Sequence, residues 1–100
     1  MYFVVFATDK PGVQELRETN RPAHREYLRN PGRHRVTVRI AGPTFSDDTS
    51  AMNGTMLIVE AENIDPVRAF VAEDPYSRAG LFQSVEIRLW NWGLNNPPSV

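Results

Sequence analysis

A chain of 100 residues with 41% hydrophobic and 23% charged residues has the balance of one ordinary globular domain and is too short for two. A net charge of −1 argues against general electrostatic attraction to nucleic acid or acidic membranes, and the lack of cysteine excludes disulfides, thiolate nucleophiles and cysteine metal sites. No apolar run approaches the ~20 residues of a membrane-spanning helix.

The opening run Met1-Tyr2-Phe3-Val4-Val5-Phe6 has no basic region and no small-residue cleavage site. It reads as a strand and not as a signal peptide, which makes the cytoplasm the expected location. Tyr2 to Ala7 is nearly continuous in apolar, β-favouring residues, the pattern of a strand buried on both faces. Asp9-Lys10-Pro11-Gly12 is a turn signal. Val13 to Arg29 is helical in character but contains Pro22. Proline disrupts a helix interior and suits a first turn, so the spacing predicts a short turn over Val13 to Glu18, a break, and a helix from Pro22 to Arg29. Asn30-Pro31-Gly32 ends it.

Arg33 to Ala41 alternates, with Val36, Val38 and Ile40 on one side and Arg35, Thr37 and Arg39 on the other. Gly42-Pro43 closes this strand, and polar Thr44 to Asn53 reads as a loop. Gly54 to Glu62 is a further apolar strand. Asp65 followed by Pro66 has the pattern of an N-cap and a first helical residue, and the helix runs to Glu73, where Asp74-Pro75 stops it. Ser77 to Leu81 suits one more short turn. Val85, Ile87 and Leu89 alternate with Glu86, Arg88 and Trp90 in a last strand, and residues 93–100 form a tail containing Asn95-Asn96-Pro97-Pro98.

The order β-α-β-β-α-β over residues 1–100 predicts one α+β domain of ferredoxin-like type, a four-stranded antiparallel sheet with its helices on one face. The valine and isoleucine faces would pack against the helices. The opposite face would carry Arg35, Thr37, Arg39, Arg88, Trp90 and Trp92, a surface suited to a partner's sheet or to a ligand cavity.

Two blocks pair a proton-handling side chain with a proline: Arg21-Pro22-Ala23-His24 and Asp74-Pro75-Tyr76. Together they would supply general acid–base chemistry if they met in space. His24 shares a helix face with Leu28, beside the apolar stripe, so it reads either as a base poised near neutral pH or as a half-buried structural histidine. Asp74 follows a helix end whose dipole disfavours a carboxylate, which calls for a partner such as His24 or an arginine; the plainer reading is an Asp-Pro turn. Arg17 and Arg21, four apart, suit a carboxylate or enolate oxygen, or else form a solvated helix edge. Asp47 and Asp48 suit a lid or a metal, or simple solvation. His24 and His34 have no metal-ligand spacing with other donors, so no metal is expected.

A phosphate loop, a dinucleotide fingerprint and a nucleophile elbow are all missing. RNA-recognition modules share the element order, but they stack bases on aromatic residues of an inner strand. Gly54 to Glu60 contains no aromatic residue, which argues against nucleic acid as a partner.

The blocks together resemble the YCII-related (YciI-like) family: Arg21-Pro22-Ala23-His24 with Tyr27-Leu28, Ala41-Gly42-Pro43, Gly54 to Val59, Asp74-Pro75-Tyr76, Ala79-Gly80-Leu81-Phe82, and Val85 to Arg88 leading to Trp90. The resemblance implies a single YCII-related domain, a dimeric α/β barrel in which two sheets pack face to face, and an active site built on a histidine–aspartate pair that falls on His24 and Asp74. The family includes a dehydrochlorinase of a chlorinated hydroxyquinol, and the wider superfamily includes muconolactone isomerases. By that likeness the chain is expected to be a homodimer catalysing cofactor-free proton transfer, isomerisation or elimination, on a small cyclic or aromatic compound. His24 and Asp74 would be catalytic, with Arg17, Arg21, Gly42, Pro43 and Tyr76 around the substrate and no membrane partner. The alternative is a non-catalytic ligand-binding or dimerisation module of the same fold.

Overall fold

The structure, a computed structural model, describes residues 1–97; residues 98–100 of the predicted tail lie outside the described residues. The chain runs β1 (Tyr2–Asp9), α1 (Gln14–Arg29), β2 (Thr37–Phe45), β3 (Met52–Glu60), α2 (Ile64–Glu73), α3 (Pro75–Arg78) and β4 (Phe82–Trp90). The strands form one antiparallel sheet in the order β2-β3-β1-β4, the ferredoxin-like arrangement. The predicted dimeric barrel is corrected here. β2 and β4 lie at opposite edges and do not pair, so the sheet is open. Four strands are too few to curl closed around a packed interior, which takes about eight.

Strand β1 shows where the helices sit. Phe3, Val5, Ala7 and Asp9 alternate into the interior, whereas Tyr2 and Val4 are half-buried and Phe6 and Thr8 exposed. Its apolar run therefore does not signal burial on both faces. Phe3, Val5, Leu57 and Val59 pack against Val67, Phe70 and Val71 of α2 and against Tyr27 and Leu28 of α1, all on one side. Val85, Ile87 and Leu89 pair in register with Ala7, Val5 and Phe3 on that inner face. Of the three only Ile87 packs on the core; Val85 and Leu89 stay 40% and 65% exposed on this edge strand.

Several local expectations change. β2 begins at Thr37 and runs through Gly42-Pro43 to Phe45, so that dipeptide lies inside the strand and does not close it, and the loop shortens to the residues between Phe45 and Met52. The sequence places Ile40 with Val36 and Val38, but the register shifts between Val38 and Ile40. Val38 pairs with inward Val59, whereas Ile40 pairs with Ile58 and shares the outer face with Val4. Arg39, the extra residue of this bulge, reaches Glu60 through Nε and Nη2 at 2.8 and 2.6 Å. The N-cap of α2 is Asn63, whose side chain accepts from the Asp65 N–H, so Asp65 lies one step inside the helix.

A further change governs the site: α1 is one helix of 16 residues with Pro22 inside it. Proline leaves the Glu18 carbonyl without its usual donor. Glu18 and Pro22 are both on the exposed side of the helix, and inward residues on both sides of Pro22 hold the helix together. No helix among the described residues is long and apolar enough to cross a membrane.

Gly54 is where β1, β2 and β3 crowd together. A Cβ there would collide with the Ala7 carbonyl oxygen and come within 2.7 Å of Thr44 Oγ1, whereas a Cβ at Gly42 would meet nothing within 4 Å. Gly54→Ala is expected to lower unfolding free energy by about 1–3 kcal/mol, the usual cost of overpacking. Gly42→Ala should leave chemical denaturation unchanged within error.

Candidate active site

An unbroken α1 puts Arg17, Arg21, His24 and Leu28, spaced four, three and four apart, on one helical face. That face and strand β2 border a half-open cavity of about 590 Å³, within the range of small-molecule sites. Thr55 of β3 and Tyr76 of α3 also line it.

Asp74 is placed by the join between two helices. It is the C-cap of α2 and the N-cap of α3, with Pro75 at the first position of α3. Its Oδ1 accepts from the Tyr76 N–H at 2.9 Å. The unfavourable end of α2 is thus met by a favourable capping bond at α3, which the sequence argument from one dipole did not include. Both carboxylate oxygens face His24 Nδ1, at 2.8 and 2.9 Å. The two residues are only 5% and 3% exposed. The Tyr76 ring stacks on the imidazole, with centroids 3.9 Å apart and planes 15° apart.

A carboxylate can only accept, so Nδ1 carries the hydrogen and neutral His24 has its lone pair on Nε2. Nε2 makes no hydrogen bond among the described residues, yet no buried side-chain nitrogen or oxygen there is left unpartnered. It therefore touches open space, and His24 lines the cavity. The arrangement is a fixed base with its free nitrogen in the hollow.

Arg17 lies two turns earlier on α1 and is 3% exposed. Its Nε and Nη2 donate to Asp9 Oδ2 and Oδ1 at 2.7 and 2.9 Å, and Nη2 also donates to Thr55 Oγ1 at 2.8 Å. Nη1 reaches the Tyr76 hydroxyl at 3.5 Å, and the guanidinium carbon lies 4.7 Å from the ring centroid. Burial alone would weaken the charge of Arg17, but its bonds and attraction to Asp9 outweigh this and raise its pKa. Burial raises the pKa of the Tyr76 phenol, against the opposing charges of Arg17 and Arg21. Tyr76 thus stands as a neutral phenol between the arginine and the imidazole.

His24, Asp74 and Tyr76 come together in direct contact. Arg21 is half-buried on the cavity wall with no carboxylate within salt-bridge distance among the described residues. Gly42 and Pro43 line the β2 side. Arg17 borders the cavity, but most of its hydrogen bonds go to Asp9 and Thr55. Asp47 and Asp48 lie away from the cavity lining. Asp48 accepts from the Ser50 and Ser46 hydroxyls, and bonds from Ser50, with help from Ser46, lower its pKa to about 2. Trp90 and Trp92 pack with Tyr2, and neither lines the cavity. Among the described residues no three metal-ligating side chains cluster.

Asp9 and Thr55 were missed by sequence reasoning. A signal for Asp9 was present: it continues the inward alternation Phe3, Val5, Ala7 and so enters the core as a carboxylate that requires a cation. Thr55 pairs with Ala7, on the same inward face.

An open ferredoxin-like sheet with a His–Asp pair beside a cavity defines the class. The YCII-related domain matches residues 1–91, and the chain belongs to the YCII-related family. It is 30% identical over 96 residues to Protein YciI of Escherichia coli, covering 88% of this chain and 94% of that one. An uncharacterised protein of Haemophilus influenzae is 28% identical over 92 residues, with the same coverage. Among solved structures, 5-chloro-2-hydroxyhydroquinone dehydrochlorinase (TftG) from Burkholderia phenoliruptrix, in complex with 2,5-dihydroxybenzoquinone, superposes with a TM-score of 0.80 at 36% identity, covering 97% of this chain and all of that one. An Arabidopsis thaliana protein, at 16% identity and a TM-score of 0.50, shares the fold.

The site depends on how α1 is held against the end of α2. The Tyr27 hydroxyl donates to the Phe70 carbonyl at 2.6 Å, and the two rings stack 4.7 Å apart. Burial, with the nearby charges of Asp74 and Glu73, pushes the Tyr27 pKa from 10.0 up to about 12. The neutral phenol is the form the fold favours, so its contribution is complete below pH 10.0 and is lost as pH rises through about 12. Denaturation followed across that window should show stability falling, and Tyr27→Phe should remove part of the fall while lowering stability at neutral pH.

Proposed function

We propose that this chain is a cofactor-independent enzyme that moves a proton on a small cyclic or aromatic compound, by isomerisation or elimination, with His24 as the acid–base group and Asp74 as its orienter. The observation that carries the reading is the two-sided imidazole, with Nδ1 bound to buried Asp74 and Nε2 open to the cavity. The likeness to a dehydrochlorinase of a substituted hydroquinone, at 36% identity over nearly the whole chain, supports a ring compound as substrate.

In this mechanism Nε2 takes a proton from an O–H or C–H bond of the bound ring. The electron pair left behind either expels a leaving group such as chloride or is reprotonated at another ring atom. Asp74 stabilises the imidazolium without taking its proton, and the imidazolium returns the proton to product or solvent. Arg21 and the Tyr76 phenol are the groups proposed to hold the oxyanion that develops, and Gly42 and Pro43 border the ring. Arg17 acts through Tyr76.

The working unit proposed is a homodimer in the cytoplasm. Support for the pairing comes from Phe6 and Ile40, apolar side chains that are 51% and 42% exposed.

The test uses 5-chloro-2-hydroxyhydroquinone and follows chloride release. Wild type should turn the probe over. His24→Ala should lower the rate by about 10²–10⁴-fold, the usual worth of general acid–base help. In Asp74→Asn, the amide oxygen keeps the cap on Tyr76, while the NH₂ group meets Nδ1 and forces the proton onto Nε2. The variant should stay folded and lose rate on the same scale. An unchanged rate in folded His24→Ala would remove the mechanism, and saturable binding with no turnover would assign the chain to the non-catalytic alternative.

A further inference from the structure

The cavity has a one-sided charge that the acid–base reading leaves unused. Arg21, Arg25 and Arg29 follow one another at four-residue spacing along α1, and all three border the hollow, where no acidic residue contributes to the lining. Arg17 is neutralised by Asp9 and Arg39 by Glu60. Arg21, Arg25 and Arg29 have no carboxylate within salt-bridge distance among the described residues.

Such a row is unfavourable for a helix by itself, because like charges four apart repel. Relief is available in the sequence: Glu18 and Glu26 each stand three residues before Arg21 and Arg29, a spacing at which Asp65 and Arg68 do pair. Neither glutamate engages its arginine. A position at the end of α1 accounts for Arg29 through the helix dipole, but it does not account for Arg21 and Arg25 in earlier turns. A cleft walled by one sign of charge concentrates ligands of the opposite sign.

Resting on the proposed ring-compound site, we propose that the substrate also bears a carboxylate, and that Arg25 and Arg29 bind it at the end of the cavity away from Tyr76. The helix rises ~1.5 Å per residue, so Arg25 and Arg29 are about 6 Å apart along its axis, close enough for two planar guanidinium forks to share one carboxylate. Arg21 is one turn nearer Tyr76, whose phenol feels its charge, and it stays with the reacting oxygen. His24 thus acts on one part of the ring while the row fixes the other, which sets orientation as well as affinity.

The experiment compares gentisate with hydroquinone, which differ by one carboxylate, by calorimetry and by NMR of the His24 imidazole. Wild type should bind gentisate at least about tenfold more tightly than hydroquinone, in keeping with a charge-assisted contact. The advantage should shrink as salt is raised. Arg25→Gln combined with Arg29→Gln should abolish the advantage and leave hydroquinone affinity unaltered. Both positions are exposed and glutamine is a good helix former, so the double variant should fold. Equal binding of the two compounds, or an advantage that survives the double variant, overturns the proposal. If hydroquinone still shifts the His24 signals in that event, the ring site stands and only the carboxylate subsite falls. If neither compound shifts them, both fall.

Discussion

The buried contact between His24 and Asp74 is the constraint around which the rest of the site is arranged. It joins the middle of α1 to the α2–α3 junction, 50 positions later in sequence. Neither group is isolated in the interior: Asp74 also caps α3, and the imidazole lies flat on Tyr76. Removing one partner of such a buried pair commonly costs about 3–5 kcal/mol, because the other is left desolvated and unpaired. The same contact therefore serves the fold and, by fixing a tautomer, the chemistry.

A second buried pair stands behind the first. Asp9 and Arg17 tie the end of β1 to α1, Thr55 adds an acceptor from β3, and Tyr76 connects the pair to the imidazole. Every buried polar side-chain atom among the described residues has a partner. A polar interior so fully satisfied restricts side-chain rotation, and a base that must reach a small substrate gains from that restriction. The continuity of α1 through Pro22 is what places Arg17 and His24 two turns apart on one face.

Much of this was legible before any coordinates. Apolar runs located β1 and β3, alternation located β4 and the first part of β2, Asp74-Pro75 marked the end of α2, and two proline-flanked blocks pointed to His24 and Asp74. What escaped did so for physical reasons. A break at Pro22 is the expectation of local helix rules, but tertiary contacts on both sides of the proline override them. The bulge at Arg39 moved Ile40 to the outer face, and a period of two cannot foresee one inserted residue. Asp9 was absorbed into a turn motif, although its parity with Phe3, Val5 and Ala7 already placed it inside. The barrel came from family likeness and not from any pattern in the residues; the sheet itself keeps two open edges.

The central claim is that Asp74 holds His24 with its hydrogen on Nδ1 and its lone pair on Nε2, facing the cavity. Heteronuclear NMR of the imidazole nitrogens, recorded near neutral pH on the wild-type protein and on Asp74→Asn, measures this directly. The account predicts a protonated Nδ1 and an unprotonated Nε2 in wild type, with the pattern reversed in the variant. A wild-type histidine protonated on Nε2 alone, or one whose tautomer ignores the loss of the carboxylate, would contradict it.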